Sequence, residues 1–174
     1  MAANITLSTL VTETFSKGLK TLTHILEVAE KHAKENGVDA NTYLDARLID
    51  DMKPLSFQVQ VATNTVAKTI SRLQGLPDAT DAWTSDETTV EQLHARIKKA
   101  EAIIAAADAS VIDAKAGEQV DLPFGPQILQ LTARESALNQ GIPNFYFHVQ
   151  TAYAILRAQG VPIGKRDYIS SFFG

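Results

Sequence analysis

Residues 142–157 read Ile142-Pro143-Asn144-Phe145-Tyr146-Phe147-His148-Val149-Gln150-Thr151-Ala152-Tyr153-Ala154-Ile155-Leu156-Arg157. The proline stands where a helix begins, because its missing N–H is not needed in the first turn. Four aromatic residues fall within the nine positions from 145 to 153, so we expect this helix to be apolar and buried. His148 follows Asn144 by four residues, which places both side chains on one side of the helix. This polar pair is the best candidate for a functional site.

Three further long helices are predicted from apolar residues that recur every three or four positions. The first spans residues 5–36. The second begins around Pro54 and ends at Gly75-Leu76-Pro77, and the third covers residues 89–107. Together with the helix at 143–159, these segments predict an all-α four-helix bundle.

The connections between the long helices are short and varied. Asp39 is expected to cap a short helix after the first long one. Spaced glycines and prolines over residues 109–126 predict an irregular loop or a small hairpin. A modest helix is expected over residues 128–138, and the tail 161–174 is expected to be extended. We find no internal repeat or low-complexity linker, so residues 1–174 are expected to form one domain.

Composition and charge argue against several classes of protein. The net charge of −4 leaves no excess of basic residues for a nucleic-acid surface. The chain has no cysteine, which excludes disulfides, thiol catalysis and cysteine-based zinc sites. It contains no apolar run of about 18 residues that would span a membrane, and its first residues do not resemble a signal peptide. A cytoplasmic location is therefore expected.

Motifs for nucleophilic or phosphate chemistry are also missing from the sequence. There is no Gly-x-Ser-x-Gly turn, no Gly-x-x-x-x-Gly-Lys loop and no Gly-x-Gly-x-x-Gly. Among the histidines, His24 and His94 lie among charged residues and are expected at the surface. His32 falls in the last turn of the first helix, where it suits the helix dipole. These three histidines are more simply read as structural than as metal ligands.

His148 differs because its neighbours are apolar or aromatic, and a buried imidazole must find hydrogen-bond partners. Asn144 and Thr151 are in reach on the same helix, and Gln58 and Gln60 of the second helix are the expected partners across the bundle. A core histidine with satisfied hydrogen bonds is the simpler reading, and a metal ligand is the alternative.

Motifs spread along the chain support a closer comparison. The motifs are Ala46-Arg47-Leu48, Asp51-Met52, Pro54-Leu55, Gln58-Val59-Gln60, Pro143-Asn144-Phe145-Tyr146-Phe147-His148, Ala152-Tyr153-Ala154-Ile155-Leu156-Arg157 and Gly164-Lys165-Arg166-Asp167-Tyr168. They resemble the DinB/YfiT-like superfamily of four-helix bundles, and more closely a family within it described only as a domain of unknown function. The resemblance covers nearly the whole chain and implies an up-down-down-up bundle. Many members of the superfamily are thought to be metal-dependent enzymes.

The metal site of the superfamily, as the resemblance implies, combines a histidine early in the second helix with a His-x-x-x-His pair in the fourth. In the superfamily, Leu-Arg follows the pair by eight and nine residues. Leu156-Arg157 follow His148 by the same spacing, so His148 matches the second histidine of the pair. Asn144 then replaces the first histidine, and Gln58 replaces the one on the second helix. Carboxamides are weak ligands for zinc, nickel or iron. We therefore expect a degenerate site with no cofactor, or at most a weakly bound divalent metal.

Two functions remain open at this point. The first is a small-molecule-binding or structural bundle with a polar pocket around His148. Gln58, Asn144 and Tyr153 would form this pocket, and Phe145 or Phe147 would supply its aromatic walls. The second is a metal- or thiol-dependent transferase or hydrolase that uses His148 as base or ligand and Tyr153 or Tyr168 as acid. The expected partners are a small polar ligand and a second copy of the chain in a homodimer, with neither nucleic acid nor a membrane.

Overall fold

Four of the helices are long and form the frame of the molecule, in a computed structural model that describes residues 5–80 and 83–173. The helices in chain order are α1 (Leu7–Glu35), α2 (Leu55–Gln74), α3 (Val90–Ala105), α4 (Ala109–Lys115), α5 (Ala133–Ser136), α6 (Ile142–Ala158) and α7 (Lys165–Ile169). The other elements are strands β1 (Gln119–Phe124) and β2 (Gln127–Thr132), 3₁₀ helices at Ala40–Asp45 and Ser170–Phe172, and a π-helical segment at Ala137–Gly141.

Local signals in the sequence set where the long helices begin and end. The side chain of Thr89 accepts a hydrogen bond from the backbone of Gln92, whose side chain bonds back to Thr89, so α3 begins with a capping box. Pro54 immediately precedes α2, as predicted. Gly75 ends α2 with a φ of 68°, a left-handed conformation that glycine adopts without a steric penalty. Asp39 caps the 3₁₀ helix that follows α1, also as predicted.

The long helices form an up-down-down-up bundle, which confirms the predicted fold class. Each of α1 and α2 packs against both α3 and α6, so α1 and α2 lie on a diagonal of the bundle. The starts of α1 and α6 adjoin, the start of α3 adjoins the end of α1, and the ends of α2 and α3 adjoin. The contacts that establish these directions are Phe15–Phe145, Glu30–His94 and Gln74–Asp108.

Helices α1 and α6 approach each other closely at Gly18. A Cβ atom at this position would overlap the ring of Phe145, so only glycine fits. The rings of Phe15 and Phe145 pack edge to face with centroids 5.0 Å apart, and both side chains are fully buried. Phe145 is therefore a core residue rather than part of a binding-site wall.

The segment after α4 departs from the sequence prediction. Residues Ala109–Lys115, the first part of the predicted loop or hairpin, form α4 instead. A small antiparallel hairpin follows, as one of the two alternatives proposed, but it begins at Gln119 and its second strand continues to Thr132. The helix predicted over residues 128–138 is therefore wrong in its first half. Gly125, with a φ of 58°, opens a two-residue loop of the kind that joins antiparallel strands. Pairing with β1 overrides the local pattern, which is compatible with a helix.

The tail is helical where we predicted an extended chain. The backbone N–H of Gly164 donates to Oδ2 of Asp167 at 2.8 Å, which caps the first turn of α7. Thr21 on α1 then donates to the backbone carbonyl of Tyr168 at 3.0 Å, which ties the tail to the bundle. Across residues 5–80 and 83–173, no helix combines the length and the apolar character that a membrane crossing requires.

Candidate functional site

The centre of the candidate site is a hydrogen bond between α6 and α2. Nδ1 of His148 lies 2.8 Å from Oε1 of Gln58, as the sequence predicts, and both side chains are buried. The amide nitrogen of Gln58 donates to the backbone carbonyl of Lys53 at 2.9 Å. Since a carbonyl only accepts, this second bond fixes the orientation of the amide and leaves Oε1 as the acceptor for His148. Nδ1 of the ring therefore carries the proton.

The proton on Nδ1 leaves Nε2 of His148 with a free lone pair. Burial lowers the pKa of His148 from 6.5 to about 4, so the ring is neutral at pH 7. Among the described residues, Nε2 has no hydrogen-bond partner and is not sealed from solvent. With 8 % of its surface exposed, His148 presents this single acceptor atom at the edge of the core.

Two aromatic rings flank the imidazole. Phe147 packs edge to face against it with centroids 5.2 Å apart, and 59 % of the Phe147 surface is exposed. Phe57 lies on another side at 6.2 Å, and Nζ of Lys53 is 5.8 Å from the centre of the Phe57 ring. The expected aromatic wall thus comes from Phe147 and Phe57.

The other residues expected around His148 point elsewhere. Asn144 donates from Nδ2 to Oγ1 of Thr65 at 2.7 Å, and Thr151 donates to the backbone carbonyl of Phe147 at 2.7 Å. Gln60 donates to Glu87 at 2.8 Å. The structure therefore brings together only His148 and Gln58 from the predicted set.

Tyr153 is also separate from the imidazole. It follows His148 by five residues, which turns its side chain by about 140° around the helix axis. Its ring packs edge to face against Tyr168 with centroids 5.6 Å apart. Tyr153 thus contributes to holding the tail and lies on a different flank of α6 from His148.

The remaining histidines bond to neighbouring elements. Nε2 of His24 is 3.0 Å from Oδ1 of Asp167, and Nε2 of His94 is 3.0 Å from Oε2 of Glu30. His94 is less exposed than predicted, since only 20 % of its side chain is accessible. The first contact joins the tail to α1, and the second joins α3 to α1. Both support a structural role for these histidines.

A metal ion does not fit the three positions that match the superfamily's ligands. Oε1 of Gln58 already accepts from His148, and the amide of Asn144 is bonded to Thr65. One ring nitrogen remains, whereas zinc or a similar ion takes three or four protein ligands. In the described part of the chain, no group of three or more histidine, cysteine, aspartate or glutamate side chains is placed to hold a metal.

Comparison with known proteins agrees with this architecture. The family described as Domain of unknown function (DUF1993) matches residues 7–169. The chain belongs to the DUF1993 family. A crystal structure of a DinB family member protein from Shewanella denitrificans has 36 % sequence identity to this DUF1993 chain and a TM-score of 0.86. The match covers 94 % of this chain and 91 % of that one. Among curated proteins, none matches.

Asn144 of this DUF1993 protein lines a second region, here named the Asn144 cleft. The cleft lies between α2, α6 and the hairpin and has a volume of about 370 Å³. Its polar lining includes Asn64, Thr65, Lys68, Arg72, Asp78 and Asn144. This cleft was not indicated by the sequence pattern, because Lys68 and Arg72 stand near the end of α2, where cations are expected for the helix dipole.

A buried arginine is the other feature that the sequence did not predict. Arg96 on α3 is only 3 % exposed and makes an ion pair with Glu87. Its guanidinium also donates to Oγ1 of Thr63 at 3.0 Å and to Oδ1 of Asn64 at 2.7 Å, and it lies 5.1 Å from the ring of Trp83. This cluster fastens the connection between α2 and α3 to the bundle.

Proposed function

We propose that this DUF1993 protein is a small-molecule-binding bundle with a degenerate metal site, in which His148 accepts a hydrogen bond from the ligand. The observation that carries the proposal is the neutral ring of His148, fixed through Gln58 with Nε2 left free. Polar atoms at the edge of a core normally have partners. An acceptor that is held in place and has no partner among the residues the structure describes suits a donor from outside.

The surroundings of the ring define the chemistry of the ligand. Because the ring is uncharged at pH 7, it accepts a hydrogen bond from a neutral O–H or N–H group without attracting an anion. The exposed ring of Phe147 offers apolar contact beside it. We therefore infer a small ligand with an apolar body and one hydrogen-bond donor.

The enzyme alternative has less support than binding. A general base works best when its pKa is near the working pH, and the pKa of His148 is about 4. Tyr153, the candidate acid, packs against Tyr168 on another flank of α6. No described residue points to a thiol cosubstrate. Binding requires only the lone pair and the apolar contact, both of which the geometry supplies.

Ligand-observed NMR on a panel of small phenols, alcohols and amides tests the proposal. We expect at least one compound to bind the wild-type protein and to shift the ¹⁵N resonance of His148 Nε2. That compound should lose its binding to a His148→Phe variant, which keeps an aromatic ring but has no acceptor. His24→Phe serves as the matched control and should bind normally. A panel without any binder that distinguishes His148→Phe from the control would overturn the proposal.

Metal content provides a second test. Protein purified without a histidine tag should contain far less than one zinc, nickel or iron ion per chain by elemental mass spectrometry. A stoichiometric metal ion that is lost in His148→Phe would contradict the degenerate site. The homodimer and the cytoplasmic location stay predictions.

A further inference from the structure

The Asn144 cleft is a concave site that is separate from His148. Its volume of about 370 Å³ falls within the range of small-molecule pockets. One wall is the face of α2 that carries Lys68 and Arg72, and α6 and β1 contribute Asn144 and Leu122 to the lining. The cleft therefore has the volume of a small-molecule site.

The charges of the cleft do not cancel. Nζ of Lys68 lies 3.3 Å from Oδ2 of Asp78, so these two side chains neutralise each other. Arg72, which is half-buried, has neither an ion-pair nor a hydrogen-bond partner among the residues that the structure describes. Burial lowers the pKa of its guanidinium, while the charge of Asp78 raises it. Two cations thus face one carboxylate, and the charge without a close partner is that of Arg72.

Neutral amide groups line the same cleft. Oδ1 of Asn64 accepts from Arg96 at 2.7 Å, which leaves the amide nitrogen of Asn64 available to donate. Asn144 donates to Thr65 through Nδ2 and keeps its amide oxygen as an acceptor. The cleft therefore combines one uncompensated guanidinium with amide groups of both polarities.

We propose that the Asn144 cleft binds a small monocarboxylate with a hydroxyl or amide substituent. A guanidinium presents two parallel N–H donors that match the two oxygens of a carboxylate. The substituent would bond to Asn64 or Asn144, and Leu122 would contact the aliphatic part. One net positive charge matches a monoanion better than a phosphate dianion, which would also meet the carboxylate of Asp78.

The π-helical segment at Ala137–Gly141 is an independent structural sign at the same place. Such segments are rare and occur frequently at functional sites. This one leads directly into α6, and Gln140 within it lines the cleft. A Cβ atom on Gly141 would lie 2.8 Å from Oγ1 of Thr69, so the segment is closely fitted to α2 beside the cleft.

Binding of defined carboxylates tests the proposal directly. The probes are glycolate, lactate, 3-hydroxybutyrate and N-acetylglycinate, with lactamide as a neutral analogue and inorganic phosphate as a competing anion. Each is titrated at constant ionic strength to about 10 mM, a range that detects millimolar dissociation constants. We expect at least one carboxylate to shift the amide resonances of Asn64, Lys68 and Asn144 in ¹H–¹⁵N spectra. Lactamide should bind at least about tenfold more weakly than lactate.

Variants at Arg72 separate its charge from a structural role. Arg72→Gln should weaken carboxylate binding at least about tenfold, whereas Arg72→Lys, which keeps the charge, should retain part of the affinity. Arg134→Gln removes an exposed cation elsewhere and should bind as the wild type does. Thermal melts of all three variants establish that they are folded.

Several results would overturn the proposal. These are the absence of binding by every carboxylate, equal binding of lactate and lactamide, and unchanged binding in folded Arg72→Gln. Tighter binding of phosphate than of all the carboxylates would overturn the monocarboxylate class. None of these outcomes bears on His148, so this inference and the proposed function fail or succeed separately.

Discussion

His148 donates a hydrogen bond from Nδ1 to Gln58 over 2.8 Å, and this pairing joins the two elements of the bundle that carry the candidate site. The partner is a neutral amide, whereas a carboxylate in its place would stabilise the charged ring. The amide adds no charge to offset burial, so burial keeps the imidazole neutral and lowers the pKa of His148 to about 4.

Replacing Gln58 with glutamate should raise the pKa of His148. A carboxylate beside Nδ1 stabilises the imidazolium, and an opposite charge at this distance shifts a pKa by about one to three units. The ring carbons of His148 report the titration in ¹³C NMR spectra. Gln58→Leu, which adds no charge, should not raise the pKa. An unchanged titration in Gln58→Glu would show that this pairing does not control the ring.

The protein should become less stable as the pH falls from 6.5 to 4. The pKa of His148 is lower in the folded state than in the unfolded chain, so unfolding takes up a proton in this window. The cost is complete near pH 4 and is on the order of 3 kcal/mol. Urea titrations of the wild type and His148→Gln at each pH measure it. Carboxylate contributions are common to both proteins, so parallel pH profiles would contradict the prediction.

Gly18→Ala should destabilise the bundle by about 1–3 kcal/mol or more, because the new methyl group overlaps the ring of Phe145. Gly117→Ala is the matched control. No atom lies within 4 Å of its added Cβ, and it should be neutral or slightly stabilising. Chemical denaturation compares the two. Phe145→Leu in the Gly18→Ala background should recover part of the loss, and equal stability of the two alanine variants would refute the close contact.

Arg96→Met should cost about 3–5 kcal/mol, because it leaves the largely buried carboxylate of Glu87 without a compensating charge, with the neutral amide of Gln60 as its remaining partner. Unfolding in urea measures the loss, and the fluorescence of Trp83, the single tryptophan of the chain, should change as its cation–π partner disappears. Lys99→Met on the exposed face of α3 should shift stability by less than about 0.5 kcal/mol. Adding Glu87→Gln to Arg96→Met should restore part of the stability if an unpaired charge is the cause.

The long helices were predictable because their local signals agree with the packed structure. Apolar spacing defined the buried faces, and residues such as Pro54, Thr89 and Gly75 marked the ends. The up-down-down-up order came from the resemblance of motifs rather than from periodicity. Contacts between the helices then supported it independently.

The second strand of the hairpin and the helical tail differ from the sequence predictions for different physical reasons. Residues 128–131 have an apolar pattern compatible with a helix, and only their pairing with β1 makes them a strand. Such pairing depends on another segment and cannot be read from the local pattern. In the tail, Asp167 lies three residues after Gly164, a spacing that favours capping of a helix at this point.

The site was predictable only in part. Gln58 and His148 were paired correctly, since a buried ring requires a partner across the bundle. Spacing placed Asn144 on the same side of α6 as His148. It did not predict that the side chain of Asn144 would donate a hydrogen bond to Thr65 instead. The direction of a side chain near a helix boundary depends on the facing residue of the neighbouring helix.

The orientation of the Gln58 amide depends on one backbone oxygen, that of Lys53, in the loop before α2. If this loop moved away, the amide could rotate by half a turn and present its N–H₂ group to the imidazole. Nδ1 would then have to accept, and the proton would transfer to Nε2. A movement of this short loop would thus turn Nε2 of His148 from a hydrogen-bond acceptor into a donor. A proposed ligand would then have to offer an acceptor instead of a donor.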